Sequence, residues 1–205
     1  DKESLYLLLE SIAGISHNQI NLLRLKSDGD FYLKKNLDLI ESFWDNHLTN
    51  NVPIQYLSGF TFWRDLKLIV SENVLIPRPE TELIIDIVLN IFGNNSKKLV
   101  FADLGTGSGA ISIALALAHP SWEGIATDID TNAIDIASRN FMNSSNQTNL
   151  QFCCGHWWNP LEHLKGELDL VISNPPYIPE KIYKKLPVEV KNFEPKIALL
   201  GGEDG

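Results

Sequence analysis

The sequence predicts an α/β fold: a parallel sheet with helices on its faces, preceded by a helical bundle and a β-hairpin. Three observations predict it. From Lys98 onward, strand-like and helix-like runs alternate, and such alternation builds parallel sheets. Before residue 50 the apolar residues recur at helical spacing. Between these regions, two short strand-like runs flank Trp63-Arg64-Asp65. The organisation read from these patterns is a helical bundle at 1–52, a hairpin linker at 53–73 and an α/β domain at 74–205.

The bundle comes first. Leu5, Leu8, Leu9 and Ile12 share one helical face, and Gly14 is placed to close that helix. Ser16 is placed to cap a second helix carrying Ile20 and Leu23. Asp30 is read as the cap of a third, which carries Phe31, Leu33, Leu37, Ile40, Phe43, Trp44 and Leu48. After Pro53, residues 54–62 and 66–70 read as the hairpin strands. Pro77-Arg78-Pro79-Glu80-Thr81-Glu82 reads as a fixed extended loop opening a helix over 82–92, with Thr81 or Glu80 at its start. The alternating strands are expected at 99–103, 124–127, 150–154 and 168–173, with helices at 110–118 and 131–141. Ligands of such sheets sit beyond the carboxyl ends of the strands. Asp103, Asp128, His156 and Asn174 are therefore expected at one crevice.

Composition narrows the function. The net charge of −9 argues against tight non-specific binding to nucleic acid, which needs a basic surface. Lys181, Lys184, Lys185 and Lys191 read as a solvated face. No apolar run is long enough to cross a membrane, and no spacing suggests a metal site. Adjacent Cys153 and Cys154 would point to opposite faces of a strand, so they are expected reduced and buried, in a cytoplasmic protein. The chain starts without Met and stops at a turn-forming Gly201-Gly202-Glu203-Asp204-Gly205, which reads as a piece of something longer.

Three segments carry chemistry. Asp103-Leu104-Gly105-Thr106-Gly107-Ser108-Gly109 lies between strand and helix. Its glycines permit a tight turn and close approach of a ligand, and the following helix offers free N–H groups. Asp128 ends the next strand, where a carboxylate accepts hydrogen bonds from a ribose diol; Asp130 is a competitor better suited to capping the following helix. These two segments imply a nucleoside cofactor and do not separate NAD from S-adenosylmethionine. Asn174-Pro175-Pro176-Tyr177 does. Its prolines stiffen an array of one amide, carbonyls without neighbouring N–H groups, and a ring, which suits holding a planar NH2 group. A methyltransferase acting on a planar NH2 nitrogen has a use for such a clamp; hydride transfer has no evident use for one.

Together with Pro53-Ile-Gln-Tyr-Leu57 and Phe193-Glu-Pro-x-x-Ala-Leu199, these motifs resemble the HemK/PrmC protein-(glutamine N5) methyltransferases over nearly the whole chain. The resemblance implies a class I S-adenosylmethionine-dependent methyltransferase fold, Rossmann-like, of which this chain would lack the last three strands. It implies S-adenosylmethionine as cofactor, held by Asp103, Gly105, Thr106, Gly107, Ser108, Gly109, Asp128, Trp157 and Asn174. It implies the Gly-Gly-Gln glutamine of class 1 peptide chain release factors as substrate. Asn174, Pro175, Pro176 and Tyr177 would be catalytic, and Pro77, Arg78, Pro79, Glu80 and Thr81 would wall the substrate. The helical bundle would help recognise the release factor. His156 stands where members often carry Asp, and it reads as a surface residue. The rival readings are an adenine-N6 DNA methyltransferase, a non-catalytic module that kept the fold, and a nicotinamide oxidoreductase.

Overall fold

A computed structural model describes residues 2–25, 32–93 and 98–205. Helix α1 (Lys2–Leu8) widens into a π turn over Leu9–Ala13 and ends at Gly14, whose left-handed backbone returns its N–H to the Leu9 carbonyl. Then follow α2 (His17–Leu25), α3 (Leu37–Asn50) and the short α4 (Ile54–Ser58). They share a core of Leu8, Ile12, Ala13, Ile15, Ile20, Ile40 and Ile54. Leu5, expected on the same face, stays exposed. Ser16 caps α2 in a reciprocal box: its hydroxyl accepts from the Gln19 N–H, and Gln19 accepts from the Ser16 N–H.

Two expectations here are corrected. The third helix starts at Leu37, where the Asn36 side chain accepts from the Leu39 N–H at 3.1 Å. Asp30 and Phe31 lie outside the described residues. Residues 54–58 form α4 and not the start of a strand. Pro53 enters that helix with its φ already set, Gly59 ends it in the left-handed region, and Ile54 gains burial in the bundle.

The hairpin is β1 (Phe60–Trp63) and β2 (Leu66–Ile69), antiparallel, with Trp63 opposite Leu66. Trp63, Leu66 and Leu68 pack into the main core. The outer edge of β2 is closed by a side chain: Asn140 Oδ1 accepts from the Ile69 N–H at 2.7 Å, and its Nδ2 donates to the Ile69 carbonyl at 3.0 Å. The same Nδ2 donates to the Ser108 carbonyl at 2.8 Å.

The main sheet comprises β3 (Val100–Leu104), β4 (Glu123–Asp128), β5 (Leu150–Cys154) and β6 (Leu170–Ser173), all parallel in the order β5-β4-β3-β6. Helices α5 (Glu82–Phe92), α6 (Ala110–Ala118) and α7 (Thr131–Ser144) pack around it. The chain steps outward from β3 to β4 to β5, then returns to the other flank of β3 for β6. The strand order therefore reverses between β3 and β6, and the crevice of such a sheet opens there. After β6, a two-stranded parallel ladder of β7 (Ile178–Pro179) and β8 (Leu200–Gly202) encloses α8 (Glu180–Tyr183), α9 (Val188–Phe193) and α10 (Lys196–Leu199). The cysteines are free, but Cys153 is only half-buried and Cys154 is exposed. They belong to β5, an edge strand of this sheet, which leaves one side uncovered. No described helix is long and apolar enough to cross a membrane.

Candidate active site

The turn after β3 and the tetrapeptide after β6 stand on either side of the reversal point. Between them lies a cavity of about 270 Å3, lined by Gly105, Thr106, Gly107, Ser108, Asp128, His156, Trp157, Asn174 and Pro176 among others. A second cavity of about 440 Å3 adjoins it, lined by Glu80, Pro175, Tyr177 and apolar residues including Ile84, Leu186 and Val190. Arg78, Thr81 and Asn174 line both. The tetrapeptide thus straddles a partition: Asn174 faces both spaces, Pro176 the first, Pro175 and Tyr177 the second.

The glycine turn is held from beneath. Asp103 is buried and its Oδ2 accepts from the Thr106 hydroxyl at 2.7 Å; Thr106 Oγ1 is 2.9 Å from Ser112 Oγ, which donates to the Gly109 carbonyl. Gly105 and Gly107 have φ of 74° and 56°, and a Cβ at either would meet nothing within 4 Å. Both line the cavity, so a side chain there would occupy the space a ligand needs. Gly109 has a different task. A Cβ there would stand 2.9 Å from Ile113 Cδ1 and 3.1 Å from Ala137 Cβ, so the bare Cα sets the packing of α6 against α7. Asp103 and Gly109 are not among the residues lining the cavity.

Burial pushes the Asp103 carboxyl up to about 6; hydrogen bonds from Thr106 and Ser112 oppose the rise, and the Asp128 charge adds to it. The folded chain therefore binds this proton more tightly than the unfolded chain, whose value is near 3.8. The sign follows: this group's contribution to stability falls as pH rises from about 4 to about 6, and is level beyond. The span corresponds to roughly 3 kcal/mol at 1.36 kcal/mol per unit. In Asp103→Asn, urea unfolding between pH 4 and 8 should lose this slope; an unchanged slope would assign it to other groups.

Asp128 reaches the rim of the cavity. Its Oδ2 accepts from the Gly107 N–H at 2.9 Å and its Oδ1 from the Asp130 N–H at 3.1 Å, while Asp130 caps α7 through the Asn132 N–H. Trp157 holds a left-handed φ of 46°, a conformation bulky residues rarely adopt, and is among the residues lining the cavity. His156 is exposed but also lines the cavity.

The loop before α5 supplies the remaining wall. Pro79–Thr81 forms a 3-10 turn into α5. Asn174 Nδ2 donates to Thr81 Oγ1 at 3.4 Å, which turns the amide oxygen of Asn174 away from Thr81. The Arg78 carbonyl accepts from Trp63 Nε1 at 2.9 Å, so the hairpin pins this loop. The Arg78 guanidinium donates to Glu194 Oε1 at 2.6 Å, and the Glu194 side chain is 2% exposed. Burial raises the Glu194 pKa, against the hydrogen bond and charge of Arg78. Pro77 lines the first cavity and Glu80 the second; Pro79 is not among the lining residues of either. Sequence reasoning assigned no site role to Glu194, Ile197 or Ala198. The signal was at hand in the Phe193-Glu-Pro segment, but its spacing alone does not say that Ile197 and Ala198 of α10 line the same cavity as Asn174.

The residues are chemically suited to S-adenosylmethionine. The glycine cradle is open where a Cβ would fill it, the acidic acceptor Asp128 stands at the end of β4, and an aromatic ring lies on the wall. Among the described residues no cluster could hold a metal ion.

Comparison with known proteins agrees with this geometry. The family model "Methyltransferase small domain" matches residues 81–188. A "Release factor glutamine methyltransferase" of Prochlorococcus marinus is 39% identical over 199 residues, covering 97% of this chain and 68% of that protein. One of Synechocystis sp. is 44% identical, covering 84% of this chain and 59% of that protein. One of Bacillus cereus is 44% identical, covering 75% of this chain and 54% of that protein. The chain thus spans between about half and two thirds of the length of these relatives. Among solved structures, the hMettl16 catalytic domain in complex with MAT2A 3'UTR hairpin 6 superposes with a TM-score of 0.53 at 19% identity, covering 67% of this chain and 51% of that one; this likeness concerns the fold. With 39% identity over 97% of its length to one such relative, the chain belongs to the release factor glutamine methyltransferase family.

Proposed function

We propose that the protein transfers a methyl group to the side-chain amide nitrogen of the Gly-Gly-Gln glutamine in class 1 peptide chain release factors, in the cytoplasm. The observation that carries the proposal is the partition formed by Asn174-Pro175-Pro176-Tyr177 between two cavities. S-adenosylmethionine, when bound, supplies an electrophilic sulfonium methyl. On the cofactor side, Gly105 to Ser108 take its methionine part, Asp128 the ribose and Trp157 the adenine. On the other side, Asn174 Oδ1 and the Pro175 carbonyl accept the two N–H bonds of the glutamine amide, and Tyr177 packs on its plane. An amide nitrogen is a poor nucleophile because its lone pair is delocalised. Fixing both N–H bonds aims that nitrogen and favours the positive charge that grows on it. The proton leaves after transfer, so no general base is needed beforehand.

Mass spectrometry of a release factor incubated with the full-length protein and S-adenosylmethionine tests this. A gain of one methyl on the Gly-Gly-Gln glutamine is expected; methylation of DNA instead would overturn it. For the cofactor half, Asp128→Ala should weaken S-adenosylhomocysteine by roughly 10- to 100-fold in calorimetry, the worth of one or two hydrogen bonds to a charged group. Unaltered affinity would remove Asp128 from the ribose site.

A further inference from the structure

Two segments far apart in sequence meet at the partition. Arg78 belongs to the loop before α5; Glu194 follows α9, on the return from the tetrapeptide. The two side chains are joined at 2.6 Å; the Glu194 side chain is 2% exposed, the Arg78 side chain 37%, and Arg78 lines both cavities. A guanidinium has five N–H donors in a rigid fork. Engaging Glu194 at one end fixes the plane of the fork, and Arg78 lines both cavities together with Asn174.

A buried carboxylate is costly unless paired, and replacing such a pair with apolar residues is often neutral or stabilising. Stability therefore gives no strong reason for an acid at this position, and position gives one. The Arg78 main chain is already pinned by the Trp63 indole, so the carboxylate governs the remaining freedom, the swing of the long side chain. The second cavity is lined mostly by apolar side chains, together with Arg78, Glu80, Thr81 and Asn174, and an extended peptide entering it carries carbonyl oxygens that need donors.

We infer that Glu194 is a positioning residue, holding the Arg78 guanidinium at the junction of the two cavities so that its outward N–H groups grip main-chain carbonyls of the substrate peptide beside the target glutamine. The inference rests on the proposed glutamine methylation. Glu194 itself touches neither substrate nor cofactor; it acts through Arg78.

The test is a double-mutant cycle in the full-length protein, with Glu194→Ala, Arg78→Ala and the pair, assayed by methyl transfer to a release factor. Calorimetry with S-adenosylhomocysteine runs in parallel. Glu194→Ala should lower kcat/KM for the release factor by roughly 10²-fold, the scale of a misplaced positioning group, mainly through KM. Cofactor affinity should stay within about twofold, showing that the fold and the first cavity are intact. Glu194→Gln, which keeps an acceptor for the guanidinium, should recover part of the loss. In the Arg78→Ala background, Glu194→Ala should cost nothing further. Equal losses in both backgrounds, or a loss of cofactor affinity with an unaltered KM for the release factor, would overturn the inference. Absence of transfer by the wild-type protein would overturn the proposed function and this inference with it; transfer by wild type and Glu194→Ala alike would overturn this inference alone.

Discussion

Asn174→Ala is expected to lower turnover of the full-length protein by roughly 10²–10³-fold, the cost of removing one preorganised partner of developing charge. The side-chain oxygen contributes one of the two acceptors assigned to the target NH2. The other, the Pro175 carbonyl, belongs to the backbone and survives the substitution. Cofactor affinity should change much less, because the glycine turn is held by Asp103, Thr106 and Asp128 and not by Asn174. Asn174 is tied to Thr81 across 93 residues of sequence, so its truncation also releases the loop before α5 at that point. Measured kcat at saturating cofactor, with S-adenosylhomocysteine affinity in parallel, checks both halves. Near-wild-type turnover would sink the clamp.

The second large effect concerns the fold. Trp122 is fully buried at the entrance to β4, stacked on His119 with ring centroids 4.1 Å apart and edge-on to Phe101. Its carbonyl accepts from Asn149 Nδ2 at 3.0 Å, tying the start of β4 to the residue before β5. Trp122→Ala opens a cavity in the main core beside Phe101 and is expected to cost about 3–5 kcal/mol in urea unfolding. A loss below about 1 kcal/mol would mean that the core closes over the gap.

The parallel sheet and its order of helices were legible because β3, β4, β5 and β6 are bounded by glycine, aspartate and proline at the points where the chain turns. The glycine turn and the tetrapeptide were legible for the same reason: each needs a backbone conformation that few residues permit. Residues 54–58 were misread because Pro53 and the short apolar run fit a strand as well as a helix, and only packing of Ile54 in the bundle decides. Cys153 and Cys154 were misjudged because burial depends on whether a strand has a neighbour, which residue type does not report. Glu194 went without a role because its partner lies 116 residues away, and no local pattern encodes that meeting.

The amide of Asn140 supplies both a donor and an acceptor to Ile69, as a neighbouring strand would, while the same nitrogen also reaches Ser108. One side chain thereby serves as a single rung of ladder. It occupies the outward N–H and C=O of Ile69, which a foreign strand would otherwise pair with. It also makes the hairpin and the glycine turn one cooperative unit, so that neither opens locally without breaking a bond of the other. A segment that reads as a linker is, mechanically, part of the foundation beneath the glycine turn.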